Sequence, residues 1–404
     1  MASQHEPRTA PVRSRTRRDL PGSPLASEPL SVVIAGGGFA ALEAALALRA
    51  LAGRKCRLTF IAPDPILYYR PAATTEPFDA APPRVYDLRA IAAQLGATIR
   101  PGRLQAVAPA ARELRLSSGV RLSYDVLVLA IGSRAVASVA GATIFRDQRD
   151  VASLRRLVAD VDAGRIGEVV FAVPSGSSWP LPLYELALLA ARRAQRAGVE
   201  LDISLVSPER DPLEIFGPRA SHSVAQVLDE QGVRFIGGLT PLAVRRDGAL
   251  ELAAGGALEA DRVISIAQLA APRIPGIPAS WWGFVPTDRC GRVLGRRDVF
   301  AAGDMTAFPV KQGGLAAQQA DRVAHTIACD LGLPVKEWDP RLVLQAELTG
   351  GPAPLLLRTE LDWRGRPTAA AGTRARPSGE AGATKVFGRY LAPYLEALEP
   401  LSVA

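Results

Sequence analysis

Cysteine, histidine and lysine are scarce in this chain: 404 residues carry three cysteines, three histidines and only four lysines. Cys56, Cys290 and Cys329 form no C-x-x-C pair and no even framework, which argues for a reducing, cytoplasmic setting rather than a disulfide scaffold. His5, His222 and His325 lie far apart in the chain, so no cluster has metal-ligand spacing and no metal is expected. No stretch of eighteen residues is free of charge or of helix-breaking proline, so stable membrane insertion is not expected. The net charge of +8 would ordinarily suggest nucleic acid or an anionic membrane. Here the arginines are scattered among acids and no basic face is clustered, so nucleic acid is not expected as a partner.

What is present is a long, moderately apolar chain, 48% hydrophobic and 22% charged, enough for two or three globular domains. Residues 1–28 hold five arginines among Ser, Thr and Pro without apolar periodicity, and read as a disordered basic leader. Arg17–Arg18 resembles a twin-arginine pair, but the DLPGSPLASEPL that follows lacks an apolar export region.

The organising stretch is VVIAGGGFAALEAA, residues 32–45. An apolar strand runs into a glycine-rich turn and then an Ala-rich helix, the layout of a dinucleotide cradle. Gly36 permits the tight turn, Gly38 leaves a pyrophosphate unobstructed, and Ala41 lets helix and strand pack closely. Free N–H groups at the helix start favour an anion. The next strand, CRLTFIAP at 56–63, arrives at the expected separation, but its tip carries Ala62 where an acid usually holds the ribose. Either Asp64 serves from a longer turn, or the ribose is held elsewhere.

YYRPAATTEPF (68–78) follows, with Pro71 suited to a first helical turn and Arg70 placed to face a phosphate or a ring carbonyl if a flavin is bound. A short helix at 86–95 and a β-meander over 98–119 lead to YDVLVLAIGS, a buried strand ending at Gly132. A second strand-turn-helix spans 168–194, with further strands at 201–207 and 233–237 around a helix near 219–231. Its turn, Pro174 to Pro180, has one glycine and a bulky Trp179, so it either binds NAD(P)H weakly or is a relic that binds nothing. Ser207-Pro208-Glu209-Arg210 beyond it offers both a carboxylate and a guanidinium and does not separate NAD from NADP. A third segment is expected to return to the first domain through 261–277 and then VFAAGDMTAFPVKQGGLAAQQAD. There Asp304 projects from a strand ending at Gly303, and a helix starting near Gly313–Gly314 aims its dipole back at that tip. Such a carboxylate can accept bonds from a ribityl chain.

GGGFAALEAA, the YRP turn, YDVLVLAIGS and AAGDMTAFPVKQGGLAAQQA together resemble the pyridine nucleotide-disulfide oxidoreductase superfamily of FAD enzymes over roughly residues 30–335. Within it they are most similar to the branch of type II NADH dehydrogenases, sulfide:quinone oxidoreductases and the flavin subunit of flavocytochrome c. The resemblance implies an α/β fold of two Rossmann-like domains, an FAD domain (29–147 and 260–335) with an NAD(P)-type domain (148–259) inserted in it, plus a small C-terminal α+β region (336–404). By resemblance Gly36, Gly37, Gly38, Phe39, Ala40 and Ala41 surround the FAD pyrophosphate, and Asp64, Arg70, Pro71, Ala130, Gly132, Gly303 and Gly313 flank the cofactor. Asp304 then binds the ribityl chain, Lys311 lies beside the flavin, and Glu185 is the side chain expected at the nicotinamide or handling a proton; read from the residues alone, Glu185 is equally a solvated first-turn glutamate. Where relatives have Ala-Thr-Gly, this chain has Ala130-Ile131-Gly132. It lacks the paired redox cysteines of the disulfide reductases, and carries Ser178 and Trp179 where sulfide-oxidising relatives have a cysteine, which argues against sulfide chemistry. Cys290 is expected in a hairpin turn, Cys329 as a buried helix residue and His325 as a structural one.

The expected function is hydride transfer from NAD(P)H through FAD to a quinone or other small-molecule acceptor, without cysteine chemistry. A flavin-binding electron-transfer or redox-sensing interaction protein with a silent NAD(P) site is the alternative. At the C-terminus, strands are expected at 342–348 and 353–361, and KVFGRYLAPYLEAL (385–398) places seven apolar side chains on one helical stripe interrupted by Pro393. Its few basic residues suit an anionic bilayer poorly, so it is expected to pack on the flavin domain or on a second subunit as a homodimer. The protein should therefore remain in the supernatant without detergent; co-sedimentation with anionic liposomes that is lost on truncation after Ser378 contradicts this.

Overall fold

The computed structural model describes residues 28–78, 83–136, 138–176, 179–336, 341–368, 376–377 and 385–401. Apart from Glu28, the expected leader lies outside them, as do Ser177 and Ser178 of the second turn.

Along the chain the elements that place the site are β1 (Leu30–Ala35), α1 (Phe39–Ala52), β2 (Cys56–Ala62), α2 (Leu88–Gln94), β3 (Thr98–Pro101), β4 (Val126–Leu129), β5 (Thr143–Phe145), α3 (Val151–Asp162) and β6 (Glu168–Ala172). They continue with α4 (Leu181–Ala197), β7 (Asp202–Val206), α5 (Pro218–Glu230), β8 (Val233–Ile236), β9 (Arg262–Ile266), β10 (Val299–Ala301), α6 (Gly313–Asp330), β11 (Leu342–Leu348), β12 (Leu355–Leu361) and α7 (Leu391–Glu396). Two parallel five-stranded sheets result, ordered β10-β4-β1-β2-β3 and β5-β9-β6-β7-β8. Their strands are continuous apolar runs because both faces are covered, as in any parallel sheet clad by helices.

In the first domain, α1 and α6 pack through small side chains. Ala41, Ala44, Ala45 and Ala47 on one helix and Ala317, Ala320 and Ala324 on the other are all buried, which lets the two backbones approach closely over the sheet. Gly36 makes the strand-to-helix turn at φ +137°; a Cβ there would stand 2.1 Å from the Ala130 carbonyl oxygen at the tip of β4. The tight junction of two strand tips thus requires glycine.

Three segments depart from the sequence expectation. Thr98–Pro101 is the edge strand of the first sheet, and the meander begins after it, at Leu104–Ala108, Glu113–Leu116 and Arg121–Ser123. Residues 262–266 do not return to the first sheet: β9 sits between β5 and β6 in the second, where Val263, Ile264 and Ile266 are buried. Thr143–Phe145, in the stretch assigned to the first domain, lies beside it, and the crossing between domains is the antiparallel pair Arg134–Val136 with Gln268–Ala270. The C-terminal stripe is helical only over Leu391–Glu396, with Pro393 in the first turn, where a missing N–H costs nothing. Val386, Leu391 and Leu395 are buried against the first domain, and the Glu43 carboxylate on α1 accepts the N–H groups of Tyr390 (3.0 Å) and Leu391 (2.6 Å). Burial pushes the Glu43 carboxyl up to about 7, against the pull of those two bonds. The β11-β12 hairpin packs on the core of the second domain.

Gly36 and Gly38 separate two roles of one turn. Gly36→Ala should lower the thermal midpoint clearly, since it adds a backbone clash to a left-handed residue, whereas Gly38→Ala, whose Cβ meets nothing within 4 Å, should not. Equal midpoints for the two variants would contradict the packing described.

Candidate functional site

The C-terminal tips of β1, β4 and β10, the start of α4 and the C-terminal region enclose one cleft of about 440 Å³. Parallel sheets place ligands at this edge because loops diverge there and helix N-termini point inward. Gly37, Gly38, Phe39 and Ala40 of the first turn line the cleft, with Asp64, Arg70, Pro71, Ala130, Gly132, Gly303, Asp304, Lys311, Gly313 and Glu185. Gly36 and Ala41 do not: Gly36 is held against Ala130, and Ala41 is fully buried between helix and sheet. No Cβ neighbour lies within 4 Å of Gly38 or Gly132, so backbone faces open space at both. The N-cap of α1, Gly38, offers no side-chain cap, leaving the first N–H groups of the helix for an anion.

Lower in the cleft are two charges. The Asp304 carboxylate accepts no hydrogen bond from the described residues; burial raises its pKa while Lys311 and Arg70 pull it down. Lys311 is 4% exposed; its Nζ donates to the Thr306 carbonyl (2.5 Å) and lies 3.8 Å from the centre of the Phe284 ring. Burial lowers its pKa to about 8, with Asp304 opposing. Gln312 caps α6 itself, its Oε1 accepting from Leu315 N at 2.9 Å, so the helix start that faces the cleft is already ordered. Asp64 stands in the rim with Oδ1 accepting the Ile66 N–H at 3.2 Å.

Glu185 is no solvated first-turn residue. It is the fifth residue of α4 and 2% exposed. Oε2 accepts from Thr74 Oγ1 (2.9 Å), while Oε1 accepts from Thr349 N (3.2 Å), Thr349 Oγ1 (2.8 Å) and Lys385 Nζ (2.6 Å). The Lys385 backbone N–H also donates to the Tyr69 hydroxyl. The sequence reading missed Lys385, Thr74 and Thr349. For Lys385 a signal existed: it is one of only four lysines, and two of the four line this cleft.

On the side of the second domain, Trp179 lines the cleft and meets Phe216 edge-on at 6.1 Å. None of the three cysteines lines the cleft: Cys56 is buried under α1, Cys290 donates its N–H to Asp288 in a turn, and Cys329, expected to be buried, is exposed with its sulfur 3.6 Å from His325 Nδ1. It lies in the last turn of α6, past the buried Ile327 and Ala328, where Asp330 is exposed as well.

The family model for pyridine nucleotide-disulphide oxidoreductases matches residues 30–324. The chain belongs to that family. It is therefore a flavin-dependent oxidoreductase of the pyridine nucleotide-disulphide class. Among solved structures it is similar to the sulfide:quinone oxidoreductase of the hyperthermophilic bacterium Aquifex aeolicus, with TM-score 0.76 and 19% identity over 91% of this chain and 90% of that one. The ferredoxin reductase for the CYP199A2 system of Rhodopseudomonas palustris follows at TM-score 0.63 and 19% identity, covering 81% and 82%. The covalent putidaredoxin reductase-putidaredoxin complex gives TM-score 0.59 and 20% identity, covering 82% and 81%. These likenesses establish the fold of two Rossmann-like domains. The curated proteins include no match. Among the described residues, no helix is long and apolar enough to cross a membrane.

Lys311 yields a pH test on the flavin-free protein. Its folded pKa of about 8 lies below the ordinary 10.5, so charging it opposes folding fully below pH 8 and the penalty disappears as pH rises toward 10.5. Lys311→Met should stabilise the apoprotein at pH 7 by on the order of 2 kcal/mol in urea unfolding, with the advantage shrinking above pH 8. A pH-independent gap would show that Lys311 is not held under this penalty.

Proposed function

We propose that the protein is an FAD-dependent oxidoreductase that takes hydride from NAD(P)H and delivers electrons to a quinone or another small-molecule acceptor without using protein thiols. The observation that carries this reading is the open backbone at Gly38 and Gly132 in one cleft with the Asp304 carboxylate, to which no described residue donates, and the buried Lys311. These features fit FAD. Gly37, Gly38 and the uncapped start of α1 would hold the pyrophosphate, and Arg70 and Asp64 flank its path. Asp304 would accept the ribityl hydroxyls in place of the donors it lacks.

When bound, the flavin supplies two-electron chemistry, and the protein supplies position, electrostatics and exclusion of water. Lys311 Nζ and the N-terminus of α6 converge on one end of the cleft and favour negative charge there. Glu185, buried, and Lys385, partly exposed, form a carboxylate-ammonium pair on its wall, Nζ donating to Oε1 at 2.6 Å. Thr74 and Thr349 fix the orientation of that pair. With all three cysteines away from the cleft, no thiol is placed to relay electrons. The putidaredoxin reductase-putidaredoxin complex among similar structures leaves a small electron-transfer protein as a further acceptor class.

Asp304→Ala should yield mostly apoprotein, read as loss of the visible flavin spectrum, while anaerobic NADH or NADPH should bleach the wild-type flavin slowly or only at high concentration. Full flavin content in the variant would remove Asp304 from the site. A wild-type flavin that neither nucleotide bleaches would leave a flavoprotein with another electron donor.

A further inference from the structure

The two nucleotide-type turns of this chain differ in what stands against their glycines. In the first domain, Gly38 and Gly132 face open space. In the second, Gly176 follows β6 at φ +94°, a conformation glycine adopts without strain, yet a Cβ on it would stand 2.1 Å from the side-chain amide nitrogen of Gln268. Gln268 begins the crossing strand between the domains, and its Nε2 donates to the Ser175 carbonyl at 2.8 Å. A glycine at this position serves to let a phosphate approach the backbone. Here the approaching group is the chain's own amide. Beyond the tip of β7 the same self-occupation recurs. Glu209 Oε2, the carboxylate placed to hold a ribose, accepts instead from the Tyr184 hydroxyl (3.3 Å) and Ser207 Oγ (3.4 Å).

We propose that Gln268 is a latch over the second dinucleotide turn: its side chain occupies the pyrophosphate position at Ser175–Gly176, and a pyridine nucleotide binds only by displacing it. The latch sets the nucleotide affinity of the fold and so decides how readily NAD(P)H acts as donor, a role that rests on the function proposed above. The latch hydrogen bond is solvent-accessible, and one such bond is weak enough to yield to a ligand. The closed state is therefore a bias against the nucleotide and not a block. Gln268 is a specificity-determining residue in this arrangement, since it touches the turn and not the reacting atoms.

The test is calorimetric titration of the full-length protein with ADP-ribose, which carries the pyrophosphate and both riboses but no nicotinamide and needs no flavin reduction. Wild type should bind weakly, with Kd near or above the millimolar range. Gln268→Ala should tighten binding about tenfold, the equivalent of 1.4 kcal/mol. Gln268→Asn, shorter by one methylene, should fall between them and keeps the test valid if the alanine variant folds poorly. Micromolar binding by wild type, or unchanged binding in a variant with wild-type thermal midpoint, overturns the latch. The donor reading is separated by NADH bleaching. If ADP-ribose tightens in Gln268→Ala but NADH reduces the flavin of neither protein, the latch stands and NADH is not the donor; if NADH reduces wild type with micromolar half-saturation, the donor stands and the latch falls.

Discussion

The buried carboxylate of Glu185 is the point on which the cleft depends. It projects from α4 of the second domain and is gripped by Thr74 of the first domain, by Thr349 at the end of the C-terminal hairpin, and by Lys385 of the C-terminal segment. A carboxylate 2% exposed is costly to bury unless its oxygens are filled, and here all the donors come from other parts of the chain. Removing one partner leaves charge stranded, so the four segments are held in register around the cleft by a single satisfied group. Lys385 in turn leads into the segment whose Tyr390 and Leu391 N–H groups Glu43 receives. The walls of the site are thus tied to α1, the helix that carries the first glycine turn.

Much of this architecture was legible in the sequence, because strand, glycine turn and helix leave local signatures. The first cradle, the Asp304 tip and the start of α6 all follow from spacing and residue type. What could not be read were partners distant in sequence. Nothing near Glu185 announces Lys385, two hundred positions away, and nothing near Gly176 announces Gln268. Arg262–Ile266 is as apolar as a strand of either sheet, so its sequence does not choose between them; pairing with β5 and β6 does. The C-terminal stripe was read with the right period but over too long a helix, because Pro393 is accepted in a first turn and marks where the helix starts.

No cysteine lines the cleft, and the charge low in it comes from two other side chains. Charge is supplied by residues that resist ionisation where they stand: Lys311 with its pKa lowered to about 8, and Asp304 with its carboxyl raised. A ligand hydroxyl can donate to Asp304, and negative charge on a ligand can pair with Lys311. Perturbation of this kind concentrates where chemistry is done.

A flavin dinucleotide held in the cleft from Asp64 to Lys311, as proposed, would leave the protein when the fold is lost. Heating the purified protein and identifying the released nucleotide by mass tests that occupancy most directly. One FAD per chain is the expected result; release of FMN, or of no flavin from protein supplied with FAD during refolding, would rule that occupancy out.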